Sequence, residues 1–172
     1  MTEPLLDIRN LSVEVGTGRK PGAPILREVS FQIMPGEIFG LVGESGSGKS
    51  VTSLAVMRLL KKPLRITGGQ ILFQGKDLLK VGKREMRHLR GNRIAMIFQE
   101  PMTALNPLSP VGRQVAEMFV LHQGKSWAEG AKLAVEALRN VRVPNPERRA
   151  RDYPHQMSGG LRQRVMIAMA LA

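Results

Sequence analysis

Gly43-Glu44-Ser45-Gly46-Ser47-Gly48-Lys49-Ser50 is the stretch that decides the fold of this chain. It matches the phosphate-binding loop pattern, G-x-x-x-x-G-K-[ST], at every fixed position. Residues 37–42 (EIFGLV) predict a short buried strand that enters the loop, and residues 50–60 (SVTSLAVMRLL) have the apolar spacing of a helix that leaves it. A chance match in a glycine-rich turn is the alternative, but strand, loop and helix in this order favour a nucleotide-binding α/β fold.

The residue types in this loop suit phosphate groups. Glycines permit backbone conformations closed to other residues, so successive N–H groups can point into one concavity. The helix that begins near Lys49 adds the positive end of its dipole, and Lys49 adds a full charge for the β- and γ-phosphates of a nucleotide. The hydroxyl of Ser50 is placed to bind Mg²⁺. We therefore predict that all eight residues form a phosphate site: Gly43, Glu44, Ser45, Gly46, Ser47, Gly48, Lys49 and Ser50.

Length and composition predict one domain, or one domain with an added lobe. The chain has 172 residues, of which 42% are hydrophobic, enough for a true core. It has no cysteine, which excludes a disulfide scaffold and thiol metal sites and fits a cytosolic address. No secretory leader opens the sequence, and the longest apolar run, Val165–Ala172, is too short to span a membrane. Any membrane crossing is therefore expected from a partner.

The net charge of +12 allows two interpretations. One is a surface for nucleic acid or anionic membranes. The other is a basic protein whose arginines are simply solvated. The charges recur in separate groups and aromatic residues make up 4% of the chain, so stacking platforms for single strands are not expected. We favour solvated arginines, and expect no nucleic-acid partner.

Two kinds of pattern divide the chain. Up to residue 101, alternating segments predict antiparallel strands at 5–15 and 25–34, and the apolar run 93–98 (RIAMIF) predicts a second buried strand of a parallel core, ending at Gln99. From residue 102 the pattern is helical. We therefore predict a nucleotide-binding core with an antiparallel β subdomain over residues 1–101 and an α-helical subdomain over 102–172. The predicted helices of the second part are 111–123, 126–141 with a Ser126/Glu129 capping box, 147–152 and 161–172.

A second glycine motif, Ser158-Gly159-Gly160, precedes the last helix. A hydroxyl, backbone N–H groups and a helix dipole can together bind an anion. By itself the motif is more typical of an ordinary helix start with a serine cap and two turn glycines, because such turns are common. Residue types alone leave both interpretations open.

The order of these motifs resembles that of the ATPase subunits of ABC transporters. The residues within the motifs resemble those of the oligopeptide/dipeptide/nickel importer family. The resemblance runs from about Leu5 to Ala172. It rests on three segments: 43–50, 98–107 (FQEPMTALNP) and 153–172 (YPHQMSGGLRQRVMIAMALA). It implies an α/β fold, in which a P-loop NTPase core carries an antiparallel β subdomain and an inserted α-helical subdomain.

The resemblance also implies roles for individual residues. Lys49 would bind the phosphates of ATP and Ser50 the Mg²⁺ ion, while Gln99 would sense Mg²⁺ and the γ-phosphate. Ser158, Gly159 and Gly160 would close over the γ-phosphate held by a second ATP-binding subunit. In such a family, this closure drives transmembrane permease subunits that receive solute from a binding protein, and the ATPase lies at the cytoplasmic face of the inner membrane.

The family pattern continues beyond Ala172 with a strand that carries an aspartate and the catalytic glutamate. No Asp or Glu follows Asp152 here, so we expect a truncated chain with little or no turnover of its own. Three hypotheses remain open: an importer ATPase, a non-catalytic half-cassette that pairs with a complete subunit, and a P-loop ATPase acting on nucleic acid.

Overall fold

The computed structural model describes residues 3–16, 22–99 and 104–172. These residues form two compact units, one within Met1–Arg87 and the other within His88–Ala172. Residues 16–24 (GTGRKPGAP) are rich in Gly and Pro and predict a loop, of which 17–21 lie outside the described residues. The predicted domain boundary at 101/102 also lies outside them. That boundary therefore stays a prediction.

An antiparallel sheet builds most of the first unit. Its strands are β1 (Leu6–Val15), β2 (Ala23–Ile33), β3 (Leu64–Phe73) and β4 (Lys76–Asp77). Strand β1 pairs with β2 on one side and with β3 on the other, and β4 pairs with the far edge of β3. The two antiparallel strands predicted before the phosphate loop are thus confirmed.

A bulge at Asn10 keeps the apolar residues of β1 on the core side of the sheet. Asn10 has a φ of 48°, and the pairing with both neighbouring strands shifts register beside it. The extra residue lets both Ile8 and Leu11 bury although they are three positions apart. Opposite the bulge, a Cβ on Gly69 would lie 2.5 Å from the Asn10 carbonyl oxygen. Gly68 and Gly69, a pair that in a sequence is typical of a turn, therefore lie inside β3, where the bulge approaches their backbone closely.

Helix α1 (Lys49–Val56) follows the phosphate loop and is shorter than predicted. Arg58 has a left-handed φ of 50°, which cannot continue a helix. Its Nη1 donates hydrogen bonds to the carbonyl oxygens of Leu78 and Val81, at 3.1 and 2.7 Å. These bonds tie the end of α1 to the segment before α2 (Lys83–Leu89).

The two predicted parallel strands are not formed. Residues 37–42 and 93–98 are outside every strand, and the described contacts give only an isolated bridge between Arg90 and Ile94. A strand requires a neighbour to pair with its N–H and C=O groups, and neither segment has a ladder within the described part of the chain. The expectation of burial was also wrong, since Ile38 is 100% exposed and Val42 is 92% exposed.

The second unit is helical, as predicted. Its helices are α3 (Val111–Gln123), α4 (Trp127–Asn140), α5 (Pro146–Arg149) and α6 (Gly159–Leu171), with a 3₁₀ helix at Pro154–Gln156. They share one apolar core in which α3, α4 and α6 pack together. The most deeply buried core side chains include Val111, Val115, Leu138 and Val165.

The start of α4 confirms the predicted capping box. The Ser126 hydroxyl accepts a hydrogen bond from the Glu129 N–H at 3.3 Å, and the Glu129 carboxylate accepts from the Ser126 N–H at 2.9 Å.

Within the residues that the structure describes, no helix has the length and apolar character needed to cross a bilayer.

Candidate nucleotide-binding site

Two glycines give the phosphate loop its shape. Gly46 and Gly48 have φ values of 86° and 92°, in the left-handed region that other residues avoid. A Cβ on Gly48 would lie 2.3 Å from Cδ2 of Leu26, which is buried in β2. The loop thus packs directly on the sheet, and its conformation requires glycine at these positions.

Lys49 holds the loop from within. Its Nζ donates hydrogen bonds to the carbonyl oxygens of Gly43 and Glu44, at 2.7 and 2.6 Å, and to the Ser47 hydroxyl at 3.3 Å. The ammonium group therefore lies inside the concavity that the loop encloses. A full positive charge at this place can bind phosphate oxygens.

The first turn of α1 is fixed by a residue that the motif does not include. Thr52 is buried, and both its N–H and its hydroxyl donate to the Gly48 carbonyl, at 2.8 and 3.0 Å. These two hydrogen bonds from one residue fix the position of Gly48 relative to the first turn of the helix. Ser50 lies in the same turn with its residue exposed, while Glu44 and Ser45 are exposed within the loop.

Aromatic packing anchors the segment that leads into the loop. The rings of Phe31 in β2 and Phe39 are stacked, with centroids 4.8 Å apart and planes 8° from parallel. The Met34 N–H donates to the Glu37 carboxylate at 2.6 Å in the preceding turn. Sequence analysis missed this anchor, because stacking depends on how two segments meet and leaves no local spacing signal.

Gln99 lies in the second unit, directly after residues 93–98, and is exposed. Residues 100–103, which follow it in the quoted 98–107 segment, lie outside the described part of the chain. An exposed amide at this point can both donate and accept hydrogen bonds without adding charge.

The Ser158-Gly159-Gly160 motif forms the exposed start of α6. Ser158 takes the N-cap position with φ −65° and ψ 159°, but its side chain accepts no capping bond from the helix. A Cβ on Gly159 or Gly160 would meet no atom within 4 Å. Before the motif, Met157 is only 3% exposed and belongs to the helical core. The hydroxyl and both glycines thus face outward from an anchored turn.

No group of three or more His, Asp or Glu side chains suited to a metal ion occurs in the described ranges. Mg²⁺ commonly takes one or two protein oxygens and completes its shell with water and phosphate. The exposed Ser50 hydroxyl at the loop fits that mode of binding.

Comparison with known proteins gives these motifs a common context. The family model described as ABC transporter matches residues 26–172. The chain is 52% identical over 169 residues to a probable peptide ABC transporter ATP-binding protein of Sinorhizobium fredii, covering 98% of this chain and 50% of that protein. It is 46% identical over 168 residues to the dipeptide transport ATP-binding protein of Escherichia coli, covering 98% and 51%. The chain therefore spans about half the length of these relatives.

Solved structures of ATP-binding cassettes also resemble this chain. The dimeric ATP-binding cassette MJ0796 in a post-hydrolysis state bound to ADP and Pi matches with a TM-score of 0.84 and 28% identity, over 97% of this chain and 69% of that chain. A second dimeric structure of MJ0796 matches with a TM-score of 0.83. The predicted fold class, a P-loop α/β core with an antiparallel β subdomain and an α-helical subdomain, is confirmed by these matches.

Proposed function

Because this chain belongs to the ABC transporter family, we propose that it forms the ATP-binding part of an importer subunit. The subunit would couple binding and hydrolysis of MgATP to uptake of peptides, or of a related small solute such as nickel. The observation that carries the proposal is the preformed phosphate loop, with the Lys49 ammonium at its centre. The peptide and dipeptide transport names of the relatives support the choice of solute.

In this proposal the loop residues 43–50 bind the ATP phosphates and Lys49 is a catalytic residue, because its charge stabilises the charge that develops on the γ-phosphate. Ser50 binds Mg²⁺, which supplies further positive charge when it is bound. Gln99 is the second catalytic and metal-binding residue. Its exposed amide can contact the metal or its water and transmit the state of the site to the helical unit.

Ser158, Gly159 and Gly160 bind nucleotide in a different manner. We propose that they close over the γ-phosphate held by a second ATP-binding subunit, identical to this one or not. The partners are then that subunit and a pair of transmembrane permease subunits, with a solute-binding protein acting indirectly. The site of action is the cytoplasmic face of the membrane, and no nucleic acid is involved.

A second candidate is a non-catalytic half-cassette that pairs with a complete subunit. Its support is the exposed Ser158-Gly159-Gly160 edge, which such a module would lend to the nucleotide held by the complete subunit. Both candidates predict that the 172 residues by themselves bind MgATP and turn it over little. A steady ATPase rate that Lys49→Ala abolishes would contradict that prediction.

A titration with a fluorescent ATP analogue, with and without Mg²⁺, tests the proposal. The wild-type chain should bind more tightly with Mg²⁺, and Ser50→Ala should remove most of that gain. Ser53→Ala is the matched control, because this exposed serine lies on the same helix and donates to the Lys49 carbonyl at 3.3 Å. Absence of any binding, or equal effects of the two substitutions, would refute the assigned site.

A further inference from the structure

Residues 153–157, which precede Ser158, are held by contacts within the segment and with the helical core. The Tyr153 N–H donates to the Gln156 side-chain oxygen at 2.8 Å, which closes the 3₁₀ turn Pro154–Gln156. The rings of Tyr153 and His155 stack with centroids 5.7 Å apart. Met157 then enters the helical core. The chain therefore reaches Ser158 from a rigid direction.

The exposed motif that follows lacks a side-chain bond of this kind. The Ser158 side chain caps none of the helix N–H groups, and the two glycines lie in open space. Both glycines lie in the first turn of α6, and glycine loses more backbone entropy than any other residue when it is ordered in a helix. The orientation of this edge must come from its two flanks.

Arg162 supplies the flank on the helix side. Its Nε donates a 2.6 Å hydrogen bond to the Pro154 carbonyl oxygen, and its own N–H donates to the Ser158 carbonyl oxygen at 3.0 Å. The second bond is the ordinary first bond of the helix, whereas the bond from the Arg162 side chain joins the first turn of α6 to the turn that precedes the motif. The guanidinium bond is charge-assisted and its residue is half-buried, so it is stronger than a bond between neutral groups.

We propose that Arg162 is a positioning residue for the edge formed by Ser158, Gly159 and Gly160. By joining α6 to the Pro154 turn, it holds the serine hydroxyl and the glycine N–H groups in the orientation in which they meet a phosphate. This inference rests on the proposed function for the identity of the ligand, but the positioning itself is a property of this chain. A preorganised edge loses less entropy when it binds.

Arg164 offers a matched control on the same helix. Its Nη1 donates to the Arg142 carbonyl oxygen, in the turn that follows α4. Arg164→Met and Arg162→Met remove the same charge and the same kind of bond from α6. The first variant frees the turn after α4 and the second frees the Pro154 turn.

Amide hydrogen exchange tests the positioning directly, using the 172-residue chain and its variants. Arg162→Met should speed exchange of the Gln156 and Met157 amides, which donate to the Tyr153 and Pro154 carbonyl oxygens in the turn that Arg162 holds. The increase should be about tenfold, the value expected for loss of one hydrogen bond to a charged group. Arg164→Met should leave those amides unchanged, and Arg162→Lys, which can still donate to the Pro154 carbonyl, should restore most of the protection. Equal exchange in both Met variants would overturn the inference, as would a rise spread over the entire helical unit.

Self-association with a slowly hydrolysed ATP analogue separates this inference from the proposed function. If two copies pair through nucleotide, Arg162→Met should raise the protein concentration for half-association about tenfold, and Arg164→Met should not. If no form associates while the exchange difference is present, the paired site fails and the positioning role stands. If association is unaffected by Arg162→Met, the positioning role fails and the paired site stands.

Discussion

The Nζ of Lys49 lies 2.7 Å from the carbonyl oxygen of Gly43, across the full width of the phosphate loop. The same ammonium is 2.6 Å from the Glu44 carbonyl oxygen, so the lysine donates hydrogen bonds to two successive carbonyl oxygens of the loop. Phosphate groups entering the loop would take over these contacts. The loop residues and the charge are therefore brought together before any nucleotide binds.

Lys49→Ala should weaken binding of a fluorescent ATP analogue at least tenfold, because charge-assisted hydrogen bonds contribute roughly 1.5–3 kcal/mol. The fold should change little, since the bonds lost are exposed. Lys62→Ala is the control, an exposed lysine beyond α1 with the same change of net charge. Equal loss of affinity in both variants would mean that general charge, and not the position of Lys49, attracts the nucleotide.

Gly48→Ala should destabilise the first unit more than Gly46→Ala. Both residues have positive φ, which costs a non-glycine residue about 1–2 kcal/mol. Only at position 48 would the new Cβ also collide with buried Leu26, at 2.3 Å, since nothing lies within 4 Å of a Cβ at position 46. Thermal unfolding measures the difference. A smaller loss for Gly48→Ala than for Gly46→Ala would show that the loop does not pack on β2 as described.

Gly69→Ala should be among the most damaging single changes in the sheet, with a loss of about 3 kcal/mol from backbone strain and collision. The added Cβ would lie 2.5 Å from the Asn10 carbonyl oxygen, a backbone atom that cannot rotate away. Gly68→Ala is the natural comparison, because its nearest neighbour would be 3.9 Å distant. Urea unfolding of the two variants decides whether the bulge requires glycine at one position or tolerates alanine at both.

The capping box predicts a pH dependence of stability. The hydroxyl of Ser126 donates to Glu129, and this bond is the main reason that the pKa of Glu129 is lowered. A carboxyl whose folded pKa is lowered stabilises the fold above its unfolded pKa, which is about 4.3, and the contribution is lost as the pH falls through the folded pKa. Glu129→Gln should therefore lower the melting temperature at pH 7 and have no effect at the lowest pH values. Glu136→Gln, on the exposed side of the same helix, is the control. A constant difference between Glu129→Gln and wild type across the whole pH range would contradict this assignment.

Local signals predicted the helical unit well. Helix α3 has the predicted bounds, Val111–Gln123. Its apolar spacing and the glycine that follows it, Gly124 with a left-handed φ, are signals carried by the helix and its next residue. The Ser126/Glu129 box acts over three residues and was visible in the same way. The placement of Arg162 against Pro154, by contrast, joins two elements, and no spacing in the sequence indicated it.

The sequence by itself determined the phosphate loop, the glycine motif before α6 and most helices, because each depends on residues close together in the chain. Tertiary structure alone decided that Gly69 faces the Asn10 bulge and that Phe39 stacks on Phe31. It also decided that 37–42 and 93–98, apolar enough to predict strands, form none among the described residues. The physical reason is that a strand is completed by hydrogen bonds to a distant segment, whereas a helix bonds to its own neighbouring residues.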